Sequence, residues 1–387
     1  MFEENVFIPF LKKFDQYPFC VRINHKEYQI GEGKPEFTVN FRKPLSLTAL
    51  MTSTSLALGE AYMDGDLEIE GDLYYALDHF LGQIDRFSRD ESALKKLMLS
   101  SSGKKNQEKE VQSHYDIGND FYRLWLDETM SYSCGYFFHE NDTLYQAQVN
   151  KVDYILKKLY LQEGMSLLDI GCGWGFLLIE AAKKYGVHGV GITLSKEQYR
   201  EFKRRIADQH LEHLLTVERM DYRDLPKYGR TFDRVVSVGM VEHVGREHYQ
   251  LFMDCVKQVT NPGGLFLLHF ISGLKEHAGD PWIKKYIFPG GMVPSLREML
   301  SCGAEDGFHT LDVENLRLHY NRTLLCWLEN YRDHKDEVRK MFDERFVRMW
   351  ELYLCSCAAT FHNGIIGLHQ VLFSNGINNR LPMVRWY

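Results

Sequence analysis

The sequence predicts an α/β protein built on a doubly wound, Rossmann-like sheet, with a small α+β domain before it and helical additions after it. Three observations carry this. Residues 167–175 read Leu-Leu-Asp-Ile-Gly-Cys-Gly-Trp-Gly, an apolar run ending in an acid and followed by glycines at alternate positions. Phe176 to Tyr185 then reads as a helix, so the stretch is strand, tight turn and helix start, where bare backbone approaches a nucleotide-like ligand. From His114 onward strand-like and helix-like segments alternate, which implies a parallel sheet. The length of 387 residues exceeds what one core usually holds.

In chain order, residues 1–98 read as the small mixed domain. Phe37-Thr-Val-Asn-Phe alternates as a strand does. Gly59-Glu-Ala-Tyr-Met-Asp-Gly-Asp-Leu-Glu-Ile-Glu-Gly-Asp-Leu carries Gly-Asp turn signals around short strands, and Leu73 to Leu81 reads as a helix. The polar run at 99–113 is the linker. Residues 114–387 form the larger domain. Its strands fall at 166–170, 187–192, 214–219, 233–238 and 264–270, the last fed by the turn Asn261-Pro-Gly-Gly. After about 320 the chain reads as mostly helical, ending in the apolar stretch Phe346 to Phe373.

Composition narrows the function classes. Hydrophobic residues make up 44% and aromatics 13%, enough for a packed globular protein. No stretch approaches the ~20 apolar residues that span a bilayer. The acidic start Met-Phe-Glu-Glu-Asn is unlike a signal peptide, so a cytoplasmic location is expected. Eight scattered cysteines without a Cys-x-x-Cys pair suggest neither a disulfide framework nor a metal site. A net charge of −7 argues against nucleic acid as a partner.

The glycine turn itself separates cofactors. A dinucleotide fingerprint wants a sixth-position glycine, which here is Phe176, and an acid ending the next strand, which here ends Thr193-Leu194-Ser195. Both departures argue against NAD and suit S-adenosylmethionine. Further signals lie at other strand ends, where open α/β sheets bind ligands. Gln198 can take the ribose role of the missing acid. Val238-Gly-Met-Val-Glu-His-Val-Gly brings Glu242, and Leu268-His-Phe-Ile brings His269, to the same edge. His319-Tyr-Asn-Arg adds Tyr320. Met130-Ser-Tyr-Ser-Cys-Gly-Tyr-Phe-Phe sets Cys134 among aromatic residues.

Taken in order, Tyr-Ser-Cys-x-Tyr-Phe, Leu-Leu-Asp-Ile-Gly-Cys-Gly-Trp-Gly, Thr-Leu-Ser-Lys-x-Gln, Val-Gly-Met-x-Glu-His-Val-Gly, Tyr-Ile-Phe-Pro-Gly-Gly and Tyr-Leu-x-x-Cys-Ala resemble the cyclopropane-fatty-acyl-phospholipid synthases and mycolic acid cyclopropane synthases over nearly the whole chain. The resemblance implies a class I methyltransferase fold. It implies that Tyr132, Ser133, Asp169, Gly171, Gly173, Thr193, Leu194, Ser195 and Gln198 contact S-adenosylmethionine, with Asp221 and Tyr222 beside the adenine. There the chain has Met220-Asp-Tyr-Arg where mycolic-acid members tend to have Trp-Glu. The resemblance also implies a bound bicarbonate held by Cys134, Glu242, His269, the backbone of Ile271, and Tyr320. Cys357 matches a family cysteine treated as catalytic. An unsaturated acyl chain of a membrane phospholipid is the implied substrate, reached by a peripheral enzyme, a homodimer, at the inner membrane face.

The chemistry explains the residue types. A double bond is a weak nucleophile, and methyl transfer to it leaves a carbocation that closes to a ring only if a proton is then removed. The site must align the reactants, exclude water and supply a base. A bound oxyanion is a safer acceptor than a thiolate, which the cation would alkylate. Basic stretches at Lys95-Lys96 with Lys104-Lys105, and at Arg200, Lys203, Arg204 and Arg205, are candidates for headgroup contact, or simply solvated faces. Two other readings stay open: a methyltransferase for a soluble substrate, and a non-catalytic lipid-binding protein.

Overall fold

The computed structural model describes residues 4–83, 117–385 and 387. The expected domain boundary at 98, the linker 99–113, the Lys95-Lys96 and Lys104-Lys105 pairs and His114 lie outside the described residues.

The first segment holds α1 (Glu4–Leu11), β1 (Phe19–Ile23), β2 (Lys26–Ile30), β3 (Thr38–Phe41), α2 (Leu47–Thr52), α3 (Thr54–Met63), β4 (Leu67–Glu70) and α4 (Leu73–Leu81). Its sheet has the order β2-β1-β3-β4, and the alternating inward residues Phe19, Val21, Ile23, Val39 and Phe41 form its core. Gly59-Glu-Ala-Tyr-Met departs from expectation. It lies inside α3, whose N-cap Ser53 accepts from Leu56 N, and the turns begin only at Gly65.

The second segment runs α5 (Asn119–Arg123), α6 (Leu144–Lys158), β5 (Ser166–Ile170), α7 (Phe176–Tyr185), β6 (His188–Thr193), α8 (Lys196–Asp208), β7 (Leu215–Arg219), β8 (Phe232–Val238), α9 (Tyr249–Val259), β9 (Thr260–Gly273), α10 (Pro281–Tyr286), α11 (Leu296–Glu305), β10 (Phe308–Asn315), α12 (Arg317–Asp333), α13 (Lys335–Met341), α14 (Glu344–His362) and β11 (Ile366–Asn375). The seven-stranded sheet has the order β10-β11-β9-β8-β5-β6-β7. The five strands read from sequence are all present and parallel to one another. Successive residues feed opposite faces: Leu168, Val235 and Phe266 enter one core, Leu167, Val236 and Leu267 the other. Both faces are therefore apolar and covered by helices.

Two strands differ from the expectation. The apolar stretch 346–373 is not one helical run. Helix α14 stops at Asn363-Gly364, where Gly364 has φ +69°, and β11 follows, antiparallel to β9 and β10. Antiparallel strands need no intervening helix, so the alternation that revealed the parallel strands is missing here.

The chain crosses from β7 back to β8 on the other side of β5, so the switch point of the sheet lies between β5 and β8. Their carboxyl ends are where such folds bind ligands. Over that edge lies a third core, largely aromatic, built from Phe121, Tyr122, Trp125, Trp327, Trp350 and their neighbours on α5, α12 and α14.

The small first segment docks on this aromatic layer. Trp282 of α10 lies flat against Gly59, where an added Cβ would stand 2.3 Å from the indole Cδ1, and its Nε1 reaches Met63 Sδ at 3.2 Å. Acids on the first segment meet bases on the second: Glu60 with Lys285 at 2.6 Å, Asp64 with Arg345 at 2.7 Å, Glu68 with Arg348 at 3.1 Å and Asp72 with Arg332 at 2.8 Å. Arg348 also stacks on Tyr62 at 4.1 Å.

Gly59→Ala tests the docking. Alanine favours a helix over glycine by about 1 kcal/mol. Overpacking a rigid indole costs about 1–3 kcal/mol. The clash outweighs the propensity, so urea unfolding should shift to a lower midpoint. A raised midpoint would mean that Trp282 yields freely.

Candidate active site

A cleft opens at the carboxyl ends of β5, β6 and β8, and is closed by the loops after β7 and before α6. The glycine turn makes its floor. Gly171 N and Cys172 N both donate to Ile192 O, at 3.0 and 3.1 Å, tying the turn to β6. Gly173 has φ +54° and nothing within 4 Å of where a Cβ would stand, so its bare backbone faces open space. Gly175 has φ +87°, and a Cβ there would fall 2.0 Å from the Phe202 ring. One glycine thus gives ligand access, and the other lets α7 pack on α8.

The expected cofactor residues gather here. Tyr132, Ser133, Asp169, Gly171, Gly173, Thr193, Leu194, Gln198, Asp221 and Tyr222 all line the cleft. Thr193 Oγ1 donates to Gln198 Oε1 at 2.8 Å and accepts from Ser195 N at 3.1 Å. Gln198 therefore presents its amide N–H groups to a ligand. Ser195 is the exception. It is buried, and its hydroxyl caps α8 by accepting from Gln198 N, so it braces the loop instead of lining the cleft. Asp221 is gripped by Arg223 through Nε at 2.8 Å and NH2 at 2.6 Å. Tyr222 packs edge-on to Phe252, its hydroxyl buried without a hydrogen bond.

The expected catalytic set lies deeper. Glu242 sits on the short 3-10 turn after β8 and is buried. Its Oε1 accepts from Ile271 N at 2.7 Å, while Oε2 is buried without a hydrogen bond. Ile271 thus spends its N–H on Glu242. Burial pushes the Glu242 carboxyl up to about 7, against the Ile271 N–H, which favours the charged form. His269 lies two residues earlier on β9, on the same face. Gln370 holds its Nδ1 at 3.2 Å, and its buried Nε2 has no partner. Burial drives His269 well below its ordinary value, so the ring is neutral near pH 7.

Tyr320 on α12 packs against Phe361 and Trp327. Burial raises its hydroxyl far above the usual range, and the nearness of Tyr353, Cys134, Cys357 and Glu242 raises it further. Cys134 is fully buried, its thiol directed at Gly135 O at 3.2 Å. Cys357 has its thiol pushed up to about 12, chiefly by desolvation, so near neutral pH it is a thiol and a poor base. Around them stand aromatic rings: Tyr132 lies 5.2 Å from Trp125 and 5.4 Å from Trp327, and its hydroxyl meets Tyr353 at 2.7 Å. Phe288, from the expected Tyr-Ile-Phe-Pro-Gly-Gly loop, packs on Tyr353 and His243, and Met292 N donates to Glu242 O at 2.8 Å.

Sequence reasoning passed over three groups. Lys151 lines the cleft from the buried face of α6, among Ala147, Val152 and Ile155. Tyr353 stands in a motif that was read for its cysteine. Gln370 lies on β11, the strand read as helix. The basic run on α8 also differs from the headgroup reading. Arg200 pairs with Glu197, Arg204 with Glu201 and Asp208, and Arg205 with Glu201, so the face is largely neutralised by its own acids.

Compared with known proteins, residues 102–371 match the family model described as mycolic acid cyclopropane synthetase, and residues 6–92 match one described as a domain of unknown function. The chain is 39% identical over 355 residues to the Pseudomonas putida "Probable fatty acid methyltransferase", covering 89% of each. It is 38% identical over 360 residues to the cyclopropane-fatty-acyl-phospholipid synthase of Escherichia coli K12, covering 91% of this chain and 92% of that one. The crystal structure of the mycolic acid cyclopropane synthase CmaA1 complexed with SAH and CTAB superposes with a TM-score of 0.65 at 35% identity, covering 69% of this chain and 98% of that one.

The geometry makes a stability prediction. Glu242 has a folded value raised from 4.5 to about 7, so its charge opposes folding. The sign follows. The penalty is absent below about pH 4.5, grows as pH rises, and is complete above about 7. Glu242→Gln keeps an acceptor for Ile271 N without the charge. At pH 8 the variant should be more stable by up to about 3 kcal/mol, and the gap should close toward pH 4.5. A variant less stable at pH 8, measured by denaturant unfolding, would contradict the assigned burial.

Proposed function

Because the chain belongs to the mycolic acid cyclopropane synthetase family and is an S-adenosylmethionine-dependent methyltransferase, we propose that it adds a methylene group across a cis double bond of an unsaturated acyl chain in a membrane phospholipid. The observation that carries this reading is the pair of buried polar atoms without hydrogen bonds, Glu242 Oε2 and His269 Nε2, where the ends of the neighbouring strands β8 and β9 meet.

A cleft with a bare-backbone floor at Gly173, amide donors from Gln198 and a buried acid at Asp169 suits the cofactor. S-adenosylmethionine supplies an electron-poor methyl carbon on a positively charged sulfur. The chain's own residues must do the rest. The rings of Tyr132, Trp125, Trp327, Tyr353 and Phe288 exclude water and offer π faces to the positive charge that develops on the acyl chain, worth about 2 kcal/mol or more when desolvated. Tyr320 and Cys134 complete the wall.

Bicarbonate suits the deeper set. Two buried polar atoms need a partner, and a small oxyanion with one hydroxyl satisfies both. It would act as the proton acceptor. Glu242 would accept its hydroxyl hydrogen at Oε2 while Ile271 N steadies Oε1, and a neutral His269 would donate from Nε2. Gln370, fixed by β11, has a donor or an acceptor for Nδ1, depending on the ring tautomer. Tyr320 would orient the ion from α12. Cys357 would serve packing.

Among the described residues no helix is long and apolar enough to cross a membrane. Meeting its substrate as a peripheral protein at the inner membrane face is part of the same proposal, carried by the family resemblance, and so is a homodimer.

The test uses the full chain, vesicles of unsaturated phospholipid and S-adenosylmethionine, with lipid products read by mass spectrometry. A gain of one methylene per modified chain is expected. Glu242→Gln should lower turnover at least ~100-fold while cofactor affinity stays within about threefold. Modification of a soluble amine or hydroxyl compound, with no change in lipid mass, would contradict the proposal. Cys357→Ser should retain most activity, and its loss would restore a chemical role for that thiol.

A further inference from the structure

Helix α6 carries two buried lysines with opposite surroundings. Lys158 is fully compensated: its ammonium lies 2.5 Å from Glu314 and 3.6 Å from Asp312, and over the ring of Tyr154 at 4.5 Å. Lys151, two turns earlier, is 4% exposed and has one hydrogen bond, to Ser133 Oγ at 2.9 Å. Among the described residues its ammonium makes no ion pair with a carboxylate. Its largest charge attraction is to Asp127, which does not pair with it, and a buried ammonium without a paired carboxylate is costly unless something else completes it. Burial pulls Lys151 down to about 8, which still leaves most of it charged near neutral pH.

Across the same cleft wall stands Asp169. Its Oδ1 is buried without a hydrogen bond, and it does not pair with Lys151 although each feels the other's charge. Burial raises the Asp169 carboxyl to about 7, so a cationic partner is needed to hold it charged, and a cleft that keeps a buried ammonium and this carboxyl apart is shaped for a ligand carrying both charges. The amino-acid end of S-adenosylmethionine is such a group, an α-ammonium and an α-carboxylate on one carbon.

We propose that Lys151 is a cofactor-binding residue, the counter-charge for the α-carboxylate of S-adenosylmethionine, with Asp169 opposite it for the α-ammonium. The proposal rests on the reading that this cleft holds that cofactor. Lys151 then selects an amino-acid tail over a decarboxylated one. It also fixes the end of the cofactor farthest from the adenine, and so the direction in which the methyl group points.

The experiment measures binding by calorimetry on the full chain, with S-adenosylmethionine and with its decarboxylated form, which keeps the sulfonium and the amine. The wild-type chain should prefer the carboxylate-bearing ligand by about 10–100-fold, as expected for one buried charge pair. Lys151→Met, of similar length without the charge, should lose that affinity by the same factor, bind the decarboxylated ligand as the wild type does, and so bring the ratio to about one. Lys151→Arg should restore a preference for the carboxylate. The wild-type comparison needs no variant, so the assignment stays testable even if Lys151→Met fails to fold. Equal wild-type affinities, a ratio unchanged in Lys151→Met, or equal losses for both ligands would overturn the assignment. Failure of the wild-type chain to bind either ligand would instead overturn the reading of the cleft.

Discussion

The hydrogen bond from Ile271 N to Glu242 Oε1 joins the turn after β8 to the C-terminal end of β9 and holds a buried carboxyl group beside a largely aromatic core. Everything around it follows from that burial. The carboxyl is raised to about 7, the neighbouring His269 stays neutral, and the thiols of Cys134 and Cys357 stay protonated. In water these groups would titrate near their ordinary values and compete as nucleophiles. In a dry site only a carboxylate-oriented acceptor remains basic enough to take a proton from a carbon without attacking the carbon itself. The chemistry proposed here depends on that selectivity more than on the strength of any single base.

Keeping such a crevice dry requires walls from distant parts of the chain. Tyr132 comes from the loop before α6, Trp327 and Tyr320 from α12, Tyr353 from α14 and Phe288 from the loop after α10. The first segment braces the last of these. Trp282 packs on Gly59 and Met63, and Glu60 holds both Lys285 and the Tyr286 hydroxyl at 2.6 Å, just before Phe288. The exposed ion pairs contribute little individually, about 0–1 kcal/mol each. Their uniform polarity, acids on one side and bases on the other, fixes which faces meet, while the indole burial supplies the larger share of the docking energy.

Much of this was legible in the sequence. The parallel strands betray themselves through apolar runs separated by helices, and the glycine turn through its alternation, which the close packing of Gly175 on Phe202 and the open face of Gly173 explain. The places of Glu242 just after β8 and of His269 near the end of β9 were legible because strand ends point to them, while their roles, with that of Tyr320, belong to the proposal. Strands β10 and β11 were not, because an antiparallel pair at the sheet edge lacks the helix-by-helix rhythm, although Asn363-Gly364 and the β-branched run after it were available signals. Gly59 read as a turn because a glycine next to acids looks the same whether it bends the chain or clears room for an indole. Lys151 escaped because a lysine at helical spacing among apolar residues reads as an exposed position, and only the cleft behind it gives the charge a purpose.

The most direct measurement of the central claim uses S-adenosylmethionine with a trideuterated methyl group and an unsaturated phospholipid as acceptor. If a buried base removes a proton from the transferred methyl, the lipid product retains two of its deuterons as a ring methylene. Retention of all three in the product, as an added methyl group, would mean that the cation is quenched elsewhere, by loss of a chain proton or capture of water, and would contradict the removal of a methyl proton assigned to the site of Glu242 and His269.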